Sequence, residues 1–206
     1  MTDAFALLGI SSVLCEALLA FLTLWRGAAQ RRGAIRWVAL ACFALLWIPV
    51  GAAHMPVVAY VRGITADLSI TLVALAVWRI CHLALGFRGI AKREEMAVMI
   101  ILAMAALFMY PLALGWGDWD AYSPGWGSWG MLLVLLMLCL ACWAKGLRVL
   151  PALVAMALVA WSFGLMESGN LWDYLLDPWL SAFALSFVFI KCAQTVFKCF
   201  VNRSPH

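Results

Sequence analysis

Seven apolar runs divide this chain, and nearly all of its charged residues lie in the short stretches between them. The runs cover 4–25, 37–55, 67–86, 96–114, 129–144, 149–166 and 178–197. Most approach the ~20 residues that cross about 30 Å of hydrocarbon, while the fifth and sixth are shorter. Lipid offers no water to the backbone, so runs of this kind must be helical and satisfy their own amides. Composition agrees: 67% of the 206 residues are hydrophobic and only 12% charged, against about 25% charged in a soluble domain. The expected fold class is therefore all-α: a polytopic membrane bundle of about seven transmembrane helices forming one domain over 1–206.

Connections between the runs alternate in basic content. The first carries Arg26, Arg31, Arg32 and Arg36 and no acid; the second has only Arg62. The third holds Arg88, Lys92 and Arg93 beside Glu94 and Glu95, and the fourth has Asp118 and Asp120 without a base. Lys145 and Arg148 lie in the fifth, three carboxylates in the sixth, and Lys198 and Arg203 in the tail. Cytoplasmic loops collect Lys and Arg, so the N-terminus is expected outside and the C-terminus in the cytoplasm. The first run reads as a span rather than a cleaved leader, because Asp3 replaces a basic n-region and Glu16 interrupts the apolar stretch. The expected location is the inner (plasma) membrane, multi-pass. Bases confined to short inter-span loops do not form a nucleic-acid surface, so no nucleic-acid partner is expected.

On that orientation the two most polar stretches of the C-terminal part both face outward. One is ESGNLWDYLLDPW, from Glu167 to Trp179; the other is its shorter echo WDAYSPGW, from Trp119 to Trp126. In each, a Trp-Asp pair precedes a second Trp by seven residues. The echo suggests duplicated helical hairpins, as parallel repeats occur in transporters. The tryptophans suit an interfacial belt, which leaves the acids beside them unexplained. The candidate ligand-binding residues are His54, Arg62, Asp67, Asp118, Asp120, Glu167, Asn170, Asp173 and Asp177.

Glu16 and Arg79 fall within spans, each twelve residues from the outer edge of its run. At 1.5 Å per residue both lie about 18 Å deep, and charges at that depth need partners. They are expected to pair, either as a structural tie or as a coupling site. His54 and His82 fall at opposite ends of their spans, so a shared metal is not expected. The seven cysteines form no spaced framework and read as small buried apolar residues. No cofactor is legible. Asp67 reads as the N-cap of the third span, with Thr71 four residues on sharing its helix face.

Arg62-Gly63 followed by Asp67-Leu68-Ser69 at the head of a span resembles a feature in the membrane domains of lipoteichoic-acid-synthase-type and glucan phosphoglycerol transferases. The likeness is confined to 62–69, and their large catalytic domain has no counterpart here, so no nucleophile or metal ligand carries over. It implies a membrane module working alone or beside a separate catalytic protein. Three functions follow as expectations. The first is a non-catalytic envelope accessory that binds lipid headgroups or lipid-linked precursors, and a partner protein, at its extracytoplasmic face. The second is a small transporter or flippase using Glu16 and Arg79. The third is a membrane enzyme using His54, Asp67 and outer carboxylates, the minimum set for acid–base work. A retinal protein is disfavoured, because Lys191 lies near the inner end of the last run.

Overall fold

The structure is a computed structural model describing residues 2–26 and 32–201. Arg31 and Arg203 of the expected basic segments lie outside the described residues, as do the side chains of Arg26 and Arg32. The helices are α1 (Thr2–Arg26), α2 (Arg32–Leu46), α3 (Val57–Thr65), α4 (Ile70–Ile80), α5 (Lys92–Ala113), α6 (Trp129–Ala144), α7 (Val149–Ser162), α8 (Leu171–Leu175) and α9 (Pro178–Val201). Strands β1 (Pro49–Val50) and β2 (Met55–Pro56) form one small antiparallel hairpin, with Pro49 opposite Pro56 and Val50 opposite Met55. Among the described residues the fold is all-α apart from this hairpin.

Among the described residues, three helical segments are long and apolar enough to cross a membrane: Thr2–Leu24, Lys92–Ala113 and Pro178–Lys198. Four more are apolar but shorter: Gly33–Leu46, Ile70–Leu85, Trp129–Ala144 and Val149–Ser162. A helix of 14 residues such as α7 reaches about 21 Å, less than the full hydrocarbon depth. Large apolar side chains including Phe21, Leu24, Val134 and Phe189 are exposed, which is compatible with a membrane protein.

The chain forms two compact units, each built from two separate stretches. The first unit comprises Met1–Gly89 with Leu153–Leu175, and the second Ile90–Ala152 with Leu176–His206. Within the first, α1 packs along α4 and α2. Gly9 permits the closest approach, since a Cβ there would stand 2.9 Å from Val73 Cγ2. Ile10, Val58 and Leu68 form one buried cluster, and Leu19, Ile35 and Ala84 a second. Within the second unit, α5 packs against α9. It buries Val98, Leu102 and Ala106, joined by Met99, Ala103 and Met109. These positions follow the three- and four-residue spacing of one helix face.

Two expectations change here. The apolar run 37–55 does not continue as one helix: α2 stops at Leu46, and 47–56 turns through the hairpin. Pro49 and Pro56 lack the amide donors that a helix interior needs, and His54 takes a positive φ of 49° at the tip. Trp47 Nε1 donates to Ser11 Oγ at 3.1 Å and the Tyr60 hydroxyl to the Val50 carbonyl at 3.1 Å, anchoring the turn. The chain then forms α3, which carries Arg62, where only a connection was expected. The second change is at the head of α4, whose N-cap is Ser69. The Ser69 hydroxyl accepts from Leu72 N at 3.2 Å, leaving Asp67 outside the helix.

The third apolar run ends in a π-helical turn, Cys81–Leu85. Arg36 Nε donates to the Ala84 carbonyl within this turn at 2.5 Å, and His82 Nδ1 lies 2.6 Å from the Phe87 carbonyl just beyond it.

Candidate functional site

Arg62 is the centre of a cluster of four charged side chains in the first unit. Its position in the last turn of α3 directs its guanidinium at three carboxylates from three other segments. Nε donates to Asp67 Oδ1 at 2.8 Å, Nη1 to Asp3 Oδ1 at 2.5 Å and Nη2 to Glu167 Oε1 at 2.6 Å. Asp3 belongs to the first turn of α1, Asp67 to the α3–α4 link and Glu167 to the α7–α8 loop. The arginine and Asp67 are mostly buried, whereas Asp3 is 75% and Glu167 68% exposed. Hydrogen bonds to Asp67 and then Asp3 outweigh burial and push the guanidinium pKa up, so Arg62 is a permanent cation. Asp67 Oδ2 is buried and has no hydrogen-bond partner among the described residues.

The loop that brings Glu167 to this cluster is held from beneath. Tyr174 is fully buried; its hydroxyl donates to the Ser168 carbonyl at 3.1 Å and accepts from Met166 N at 3.1 Å. Trp161 Nε1 donates to the Gly169 carbonyl at 2.8 Å. Thr71, buried in the first turn of α4, donates to the Tyr174 carbonyl at 3.5 Å. Glu167 is thus carried on a pinned loop, a condition for reproducible recognition.

Other candidate residues have local tasks. Asn170 is buried, and its Oδ1 accepts from Trp172 N at 2.9 Å, opening α8. Asp177 is also buried and caps α9, accepting from Leu180 N at 2.8 Å. Asp173 accepts from the Ser168 hydroxyl. All three thus have backbone or hydroxyl partners of their own, as short polar side chains before or within a helix's first turn do. Of the acids in ESGNLWDYLLDPW, only Glu167 is exposed.

Asp118 and Asp120 are exposed in the second unit beside Trp119, in an open depression of about 410 Å³. Asp120 Oδ1 accepts from Tyr122 N at 2.9 Å. The two Trp-Asp stretches fold differently, one as a bend before a 3-10 turn (Ser123–Trp126) and the other within α8. His54 is exposed at the hairpin tip, and among the described residues no group of three or more His, Cys, Asp or Glu side chains converges for a metal.

Glu16 and Arg79 do meet. Arg79 Nε lies 3.0 Å from Glu16 Oε1, joining α1 to the last turn of α4 just before the π-helical turn. The glutamate is mostly buried, but half of the arginine side chain is exposed.

Sequence reasoning missed Asp3 as an Arg62 partner. The signal was present: Arg62 is the sole base among the segments expected outside, and Asp3, Asp67 and Glu167 all fall there. No protein-family model matches the chain, and no curated protein or solved structure matches it.

Proposed function

We propose that this is a multi-pass inner-membrane protein of about seven spans, with its N-terminus outside and its C-terminus in the cytoplasm. Its role on this reading is that of a non-catalytic envelope accessory, binding lipid headgroups or lipid-linked precursors and a partner protein at the extracytoplasmic face. The supporting observation is the Arg62 cluster, which gathers Asp3, Asp67 and Glu167 on a pinned, water-accessible rim. Three carboxylates on one guanidinium leave an excess of negative charge. Arg62 already donates to all three, so a bare phosphate gains little from it. An ammonium group, as on an amine-bearing headgroup, suits the exposed oxygens of Asp3 and Glu167 better. The likeness of 62–69 to phosphoglycerol transferase membrane domains fits a module working beside a separate catalytic protein.

The test is purification of the full chain with native lipids and mass spectrometry of what co-purifies. A specific lipid precursor or a partner chain, lost in Arg62→Gln, supports the reading. Recovery of bulk phospholipid alone counts against it.

A second reading, a small transporter or flippase, has the Glu16–Arg79 pair in its favour, because ionisable residues within spans mark transport pathways and π-turns are frequent at functional sites.

A further inference from the structure

At one end of the second unit, two basic segments far apart in sequence are stitched together through backbone groups. Arg93 Nη2 donates to the Lys145 carbonyl at 3.0 Å. Glu94 Oε2 accepts from Arg148 N at 3.0 Å and Val149 N at 2.7 Å, capping the start of α7. Four exposed cations are thereby collected: Lys92, Arg93, Lys145 and Arg148. Against these four cations stand two acids, Glu94, turned to the two amides, and Glu95, so the corner keeps a net positive charge.

A second observation points to the ligand. The Arg148 guanidinium sits over the Trp143 ring, 5.3 Å from its centroid. Trp143 is 61% exposed at the end of α6, where an indole on an apolar helix settles at headgroup level. The stack holds the cation at the same level. Leading to Trp143 along α6 is an exposed apolar stripe of Leu133, Leu136, Met137 and Leu140, at helical spacing on one face. Cations at headgroup height above an apolar track match an anionic headgroup with an acyl chain below it. A free phosphate would use the cations but not the track.

We infer that this corner, built from the start of α5, the end of α6 and the start of α7, binds the phosphate of an anionic phospholipid. On the orientation proposed above, the lipid lies in the cytoplasmic leaflet. The inference is independent of the Arg62 cluster.

Native mass spectrometry of the full chain tests it, with equimolar phosphatidylglycerol and phosphatidylcholine added in neutral detergent and inorganic phosphate as competitor. Wild-type protein is expected to retain phosphatidylglycerol preferentially, and an equal concentration of inorganic phosphate should not displace it. Lys145→Gln with Arg148→Gln keeps the carbonyl and amide that stitch the corner. The preference should fall roughly thirtyfold, the size expected for two basic residues near a lipid surface. Lys145→Arg with Arg148→Lys should keep it. Equal retention of both lipids by the wild type, an undiminished preference in the double glutamine variant, or displacement by inorganic phosphate would each overturn the inference. Should the double glutamine variant not fold, Lys92→Gln with Arg148→Gln takes its place, and the wild-type comparison stands by itself.

Discussion

Arg62 Nη2 and Glu167 Oε1 meet at 2.6 Å across a sequence separation of 105 residues, and Arg62 also holds Asp67 and Asp3. The partners are not energetically equal. Asp67 is only 14% exposed and has a second oxygen already unmatched, so removing the guanidinium strands a buried charge. Arg62→Gln is expected to cost roughly 3 kcal/mol. Glu167 is 68% exposed, and Glu167→Gln should cost under about 1 kcal/mol. Thermal unfolding of the full chain in detergent checks this order. The Arg62 pKa is raised, so its stabilising contribution is complete below its ordinary range and does not fade between neutral and mildly alkaline pH.

Tyr174→Phe removes one hydroxyl that both donates to Ser168 O and accepts from Met166 N in a fully buried position. The expected loss is about 1–2 kcal/mol. Because the ring still fills its site, the effect should concentrate in the α7–α8 loop. Hydrogen exchange should speed at the Met166 amide while the buried α5 face in the second unit stays protected.

How much of this the sequence disclosed depended on the interaction involved. Apolar runs reveal helices because a segment without polar neighbours must satisfy its own backbone amides. The 129–144 run matches α6 to the residue, while the helix of the 37–55 run ends at Leu46, ahead of Pro49. The Glu16–Arg79 contact was legible because equal depth is simple arithmetic along two helices. The backbone contacts of Asn170 and Asp177 were not legible, since a polar residue beside a helix start reads alike whether it faces a ligand or its own backbone. Asp67 and Ser69 were both good caps by type, and only the path of the chain out of α3 gave the role to Ser69.

Gly9 tests the packing of α1 on α4. A methyl group there meets Val73 Cγ2 at 2.9 Å, and a β-branched side chain has little freedom to give way. Gly9→Ala is expected to cost about 1–3 kcal/mol by overpacking, against the smaller gain of alanine in a helix. Adding Val73→Ala should recover part of the loss, and a double-mutant cycle of unfolding temperatures would show the coupling. Independent, additive effects would mean the two helices do not meet there.

The proposed orientation has its own check. Cysteines introduced singly at Asp118, Ser168 and Lys145 in a cysteine-free chain should divide by side under a membrane-impermeant maleimide. The Asp118→Cys and Ser168→Cys variants should label in intact cells, and Lys145→Cys only after permeabilisation. Labelling of all three from one side would contradict an odd number of crossings between the fourth and fifth connections and so remove α6 as a span.

Glu16 and Arg79 separate the structural role from the transport role. A charge stranded within the hydrocarbon costs up to about 2.5–3.5 kcal/mol on insertion scales, so Glu16→Gln or Arg79→Gln alone should lower the yield of folded protein. The swap Glu16→Arg with Arg79→Glu restores the pair at the same depth and should restore that yield. A purely structural tie between α1 and α4 is then satisfied, and any cellular function should return with the fold. A coupling site depends on which helix carries the negative charge, since the π-turn follows Arg79 and not Glu16. A swapped protein that folds like the wild type yet stays inactive in complementation would support the transport reading. Recovery of both would leave the pair as scaffold.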